Sequence, residues 1–210
     1  MTRIDRDRDA FLAIDVQIDF CAGGALAVPD GDAVVAPVNR LMAKFAHVVA
    51  TQDWHPQDHA SFAANHPGAA PFSSVTMPYG PQTLWPAHCV QSSAGAGFHP
   101  DLEFDRAGVV IRKGWRRHVD SYSAFYENDR ATPTGLAGLL RERGVTRVFL
   151  AGLATDFCVS FSALDARRLG FEAFVVLDAA RAIDLEGSLA AAREAWAEAG
   201  VHVVESADLS

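Results

Sequence analysis
The chain has 210 residues, 50% of them hydrophobic, enough to bury one well-packed domain without crosslinks. Its 18 basic and 26 acidic side chains leave a formal charge of −8, which argues against a nucleic acid or an anionic membrane surface as partner and favours a small molecule. Three cysteines without regular spacing exclude a disulfide framework and point to a reducing compartment.

Residues 1–9 alternate charges where a secretion signal needs an apolar core, so a mobile tail and a cytoplasmic location are expected. No later run approaches a membrane span. Phe11 to Val16 predicts the first strand, Asp32 to Ala46 a helix and Val48 to Gln52 the second strand. Asp53 to Asp105 is rich in Pro, Gly, His and Ser and has no helical period; it is too long for a plain connection and is expected to be a metal- and substrate-binding loop. A strand at Val109 to Arg112 follows, and the polar stretch Gly114 to Pro133 reads as a second lid. Helices over Thr134 to Arg143, Asp156 to Leu169 and Gly187 to Ala199 then alternate with strands at Val145 to Ala151, Ala173 to Leu177 and Val201 to Val204. Such alternation predicts one domain over residues 1–210: an α/β, doubly wound, mainly parallel six-stranded sheet with helices on both faces. Ligands of such sheets bind at the carboxyl ends of the strands.

Three side chains stand at predicted strand ends. Asp15 closes the first strand, where nearby buried surface perturbs a carboxylate toward acid/base work. Lys113 closes Val-Val-Ile-Arg-Lys-Gly and can hold a neighbouring carboxylate ionised or stabilise a thiolate. Cys158 follows Leu-Ala-Gly-Leu-Ala-Thr-Asp-Phe at a strand-to-helix turn, where the helix dipole favours the thiolate. Singly, each has a bland alternative: a turn carboxylate, a snorkelling lysine, a small apolar filler. Asp53-Trp54-His55 adds two metal-ligand types facing one way if the extended backbone continues, with His59 or His88 as the third; carboxylate plus imidazole suits Zn, Fe(II) or Mn.

Six ordered motifs carry a family resemblance: Asp-Val-Gln-Ile-Asp-Phe-Cys (15–21), Asp-Trp-His-Pro-Gln-Asp-His-Ala-Ser-Phe (53–62), Trp-Pro-Ala-His-Cys-Val-Gln (85–91), Lys-Gly (113–114), Asp-Ser-Tyr-Ser-Ala-Phe (120–125) and Gly-Leu-Ala-Thr-Asp-Phe-Cys-Val (152–159). Over about Phe11 to Asp178 the chain resembles the nicotinamidases of the isochorismatase-like cysteine hydrolase superfamily. Sister hydrolases acting on isochorismate or N-carbamoyl compounds share the Asp, Lys and Cys pattern but typically lack the metal loop. The resemblance implies a catalytic triad of Asp15, Lys113 and Cys158, and one divalent metal on Asp53, His55 and His88, zinc before iron or manganese. It implies a ring pocket lined by Phe20 and Trp85 with Tyr122 near it, and supporting roles for Gln17, His59 and Ser61, the serine reaching the metal through water. It also implies a cis peptide from Leu153 to Ala154, with the N–H groups of Ala154 and Cys158 forming an oxyanion hole. One departure is Ile18, where the family commonly has Asn.

The implied reaction converts nicotinamide to nicotinate and ammonia through a thioester, with pyrazinamide also accepted, as a step of NAD salvage. Two oxyanion donors would each contribute about 3 to 4 kcal/mol. The competing readings are a sister amidase with another small amide substrate and a non-enzymatic metal-binding protein. A dinucleotide site is disfavoured, because Gly95-Ala96-Gly97 lies in the irregular loop and not at a strand-to-helix turn.

Overall fold
Asp-Ala-Phe-Leu-Ala-Ile forms strand β1 (Asp9–Ile14), in which every residue is buried, as a strand covered on both faces requires. A computed structural model describes residues 1–210. It continues with helix α1 (Val35–Met42), β2 (His47–Asp53), β3 (Ser74–Met77), β4 (Gly80–Thr83), β5 (Val109–Lys113), helix α2 (Leu136–Glu142), β6 (Arg147–Leu153), helix α3 (Ser160–Arg168), β7 (Glu172–Arg181), helix α4 (Ser188–Ala199) and β8 (His202–Val204). Six strands make one sheet in the order β5-β2-β1-β6-β7-β8, and every neighbouring pair is parallel. Chain order runs outward in opposite directions from β1 and β6, so the switch point, where such sheets open a crevice, lies between them.

Alternation along β1 feeds two cores. Phe11 and Ala13 pack with Val38, Leu41 and Met42 of α1, whereas Ala10, Leu12 and Ile14 pack with Leu140 of α2, Ala163 of α3 and Trp196 of α4. The expected doubly wound arrangement is therefore present, with one helix on the first face and three on the second. At the switch point Gly152 pairs with Ile14 and has φ +119°; a Cβ there would lie 2.1 Å from the Ile14 carbonyl oxygen, so only glycine permits this approach of β6 to β1.

Two expectations are corrected. Residues 1–9 are not a loose tail: the Thr2 and Ile4 amides donate to the Asp208 and Ser210 carbonyls at 2.7 and 2.8 Å, and Arg147 grips Asp9 at 2.5 and 2.6 Å. Their partners come from the far end of the chain, which no local pattern displays. The 53–105 stretch is not wholly irregular, since β3 and β4 pair as an antiparallel hairpin across Pro78 and Tyr79. Four-residue strands with partly exposed faces are too short to show a period.

Trp196 is 1% exposed and donates its indole N–H to the Ser160 hydroxyl at 2.9 Å, joining α4 to α3. Trp196→Ala should lower unfolding free energy by about 3–5 kcal/mol, read as a shifted urea midpoint at unchanged slope.

Candidate active site
The sheet's register assembles the site. β2 and β5 pair Asp53 with Lys113 at their last positions, so a carboxylate and an ammonium stand side by side at the carboxyl edge. Asp15 directly follows β1, with φ +45° turning the chain away from the sheet. Cys158 lies in a single wide π turn (Thr155–Val159) between β6 and α3. Asp15, Asp53 and Cys158 bring their ligating atoms within 4.8 Å of one another, and Lys113 lies among them. Its Nζ is 2.8 Å from Asp15 Oδ2, donates to Asp53 Oδ1, to the Ser121 carbonyl at 2.9 Å and to Cys158 Sγ at 3.4 Å.

Burial sets the protonation states. Lys113 is fully buried, which works against its charge, yet Asp15, Asp53 and Cys158 together hold its pKa well above the ordinary lysine value. Burial also acts against the ionised Asp53, but the Lys113 ammonium, the largest opposing influence, keeps this carboxyl well below the usual range. At Asp15 burial prevails over the pull of Lys113 and raises the pKa, which makes this carboxylate the stronger base of the two. Thr51 fixes its rotamer by donating to Oδ1 at 2.6 Å. Oδ2 is ion-paired with Lys113 at 2.8 Å, on the side of the carboxylate that faces the ammonium. Burial pushes the Cys158 thiol well up against the opposing Lys113, so the resting form is the thiol and a base must take its proton before attack. The dipole of a short helix beyond a π turn does not offset loss of water.

Asp53 faces a second cluster with its other oxygen. Oδ2 is 3.5 Å from His55 Nε2 and 3.8 Å from His88 Nε2, and the three residues are buried. His55 Nδ1 lies 2.8 Å from the Gly114 carbonyl and His88 Nδ1 2.8 Å from the Pro86 carbonyl, so each Nδ1 carries the proton and each Nε2 lone pair points inward. Two oriented imidazoles and one ionised carboxylate fit a divalent metal with room for further ligands. Gly114 makes this possible: with φ +63°, a Cβ there would sit 2.3 Å from the His55 ring. Gln17 fixes the ligand strand, accepting from the Asp53 amide at 2.8 Å and donating to its carbonyl at 2.9 Å. His59 stacks on His55 at 4.4 Å, and both of its ring nitrogens are engaged, by the Ser61 hydroxyl at 2.7 Å and the Val119 carbonyl at 3.2 Å. Ser61 is held by His59, whose ring also lies with His55 and Asp120 around a common centre.

Above both clusters lies a narrow cavity of about 20 Å³ lined by Phe20, Trp85, Tyr122, Ala154, Cys158 and His88 among others. Trp85 donates its indole N–H to the Tyr122 hydroxyl at 3.0 Å, which sets both rings. Leu153 to Ala154 is a cis peptide, and both Ala154 and Cys158 line the cavity. Thr51, Leu26, Asp120, Phe157 and Ile183 also belong to the site or its wall and were not anticipated. A polar residue inside the buried run Val-Val-Ala-Thr-Gln-Asp was the one available signal, for Thr51. Ile18 is exposed and its side chain takes no part.

A buried thiol, a basic carboxylate and a fixed ammonium at three strand ends, beside an oriented metal-ligand set, define a nucleophilic hydrolase of the α/β class. The chain belongs to the isochorismatase domain family, whose model matches residues 9–208. It is 48% identical over 200 residues to a nicotinamidase of Acinetobacter baylyi, covering 95% of this chain and 94% of that one. Its fold superposes on the nicotinamidase pyrazinamidase of Acinetobacter baumanii with a TM-score of 0.95 at 50% identity, covering 96% of this chain and 98% of that one. A Pyrococcus horikoshii pyrazinamidase in complex with zinc is also similar, with a TM-score of 0.76, 38% identity and coverage of 94% and 99%. No helix is long and apolar enough to cross a membrane.

Burial, with His55 adding to it, pushes the His59 pKa down to about 4, below its unfolded value of about 6.5. The unfolded chain then binds more protons between these values, so the contribution of His59 to stability is complete above pH 6.5 and is lost as pH falls toward 4. In metal-free protein, His59→Gln should flatten the acid limb of a plot of unfolding free energy against pH. Parallel curves for wild type and variant would exclude a neutral, desolvated His59.

Proposed function
We propose that this chain is a metal-dependent amidohydrolase that converts nicotinamide to nicotinate and ammonia and also accepts pyrazinamide. The observation that carries this reading is the junction at Asp53, which joins the Cys158, Asp15 and Lys113 cluster to the Asp53, His55 and His88 set beneath an aromatic pocket. The similarity to nicotinamidases over nearly the whole chain supports the substrate.

Phe20, Trp85 and Tyr122 take the ring and exclude water, which places the carboxamide carbon against Sγ. Asp15 removes the thiol proton through Oδ2 as Sγ adds to the carbonyl carbon, a transfer that burial favours by raising its basicity. The N–H groups of Ala154 and Cys158 receive the developing oxyanion, a contribution of about 3–4 kcal/mol per donor in comparable sites. The C–N bond breaks as Asp15 returns the proton to the departing amine, so ammonia leaves and a thioester remains. Water then adds to the thioester with Asp15 as base, and C–S cleavage releases nicotinate and restores the thiol. Lys113 stays charged throughout and balances whichever of Asp15 and Cys158 is anionic. Asp53, His55 and His88 would hold a divalent ion, zinc foremost and iron or manganese also suited, which would supply Lewis acidity at the pocket. Release of nicotinate suits a role in NAD salvage, and the free, buried cysteines suit the cytoplasm.

Cys158→Ala should reduce ammonia release from nicotinamide to background while bound metal, measured by elemental analysis, stays equimolar. Turnover persisting in that variant would refute the assignment and direct attention to Cys21 or Cys89. His88→Ala should lose metal and raise KM for nicotinamide by at least about tenfold, since the lost ligand contact is a ground-state one; an equal KM in the metal-depleted variant would remove the ion from substrate positioning.

A further inference from the structure
Asp156 stands two residues before Cys158 in the π turn, yet its hydrogen bonds reach neither the ion pair nor the metal ligands. Its carboxylate is buried and accepts three hydrogen bonds from one remote segment: the Ile183 amide to Oδ1 at 3.0 Å, and the Asp184 amide and Ser188 hydroxyl to Oδ2 at 2.7 and 2.5 Å. Neither amide has a backbone carbonyl partner, so this carboxylate is what satisfies them. In the segment between β7 and α4, Ile183 and Leu185 pack against the core, while Asp184 and Glu186 both hold left-handed backbone, at φ +54° and +51°, which non-glycine residues adopt at a cost. Ile183, at the tethered end, lines the active-site cavity with Leu26 and Phe157.

We propose that Asp156 is a positioning residue that ties Ile183 to the nucleophile turn, so that the turn presenting Sγ also sets the size of the ring admitted. Choice of substrate for the test rests on the nicotinamidase reading; the tether itself does not. A carboxylate is suited to the task because it accepts from three donors at once, which an amide with one oxygen cannot match.

In the metal-loaded enzyme, Asp156→Asn should lower the ratio of kcat/KM for nicotinamide to that for ring-methylated nicotinamides by about tenfold, the size expected when buried hydrogen bonds are broken. General damage to Cys158 cancels in this ratio, because both substrates meet the same sulfur. Ile183→Ala should give a similar loss, and the double variant no further loss. Amide hydrogen exchange at Ile183 and Asp184 should accelerate by at least about tenfold in Asp156→Asn. Should that variant fail to fold, Ser188→Ala removes one of the three bonds and should move ratio and exchange the same way by less. Unchanged exchange, an unchanged ratio, or additive losses in the double variant would overturn the tether. Failure of the wild type to release ammonia from nicotinamide would overturn the substrate reading instead, with the exchange measurement still deciding on Asp156.

Discussion
A single buried ammonium organises this molecule's chemistry. Lys113 is fully buried, and a lone charge there would be costly enough to shed its proton. It is kept ionised by two carboxylates that themselves need a cation in order to be buried, and it also hydrogen-bonds the Cys158 sulfur. The arrangement is mutual: remove the ammonium, and Asp15 and Asp53 become like charges facing each other without water. That mutual dependence pushes the two carboxyl groups apart in proton affinity, one held ionised for ligation, the other raised for proton transfer. Two carboxylates of the same type thereby take different roles from their surroundings alone.

The sheet supplies what electrostatics cannot, which is convergence. Four residues more than 35 positions apart arrive within bonding reach because β5, β2, β1 and β6 lie side by side and end at one level. Gly152 allows the closest approach at the switch point, and Gly114 allows His55 to press against the backbone beside Lys113. Both glycines serve backbone proximity, and Gly114 directly follows Lys113 in sequence.

Much of this was legible in the sequence. The alternation of apolar strands with helical periods gives the sheet, and strand ends give Asp15, Lys113 and Cys158, because position at a strand end is a local property. What was not legible depends on partners distant in the chain. The pairing of Thr2 with Asp208, the hydrogen bond from Thr51 to Asp15 and the hold of Asp156 on Ile183 leave no period or turn signature. The same holds for the surroundings of Cys158: a helix start is visible in sequence, while the depth of burial that raises the thiol is a property of the assembled fold.

A thiol that rests protonated has a chemical logic in this setting. An exposed, permanently ionised cysteine reacts with any oxidant or electrophile that diffuses to it. Here Sγ is buried, hydrogen-bonded to Lys113 and close to a base whose proton affinity the same burial has raised. Because loss of water raises the affinity of both groups, the rise at Asp15 offsets part of the widening that the rise at Cys158 causes. Proton transfer then requires only that the developing charge on sulfur be received, and Lys113 already stands 3.4 Å away. In the proposed mechanism, nucleophilicity would thus be expressed when a carbonyl fills the cavity, with no moving part beyond a proton.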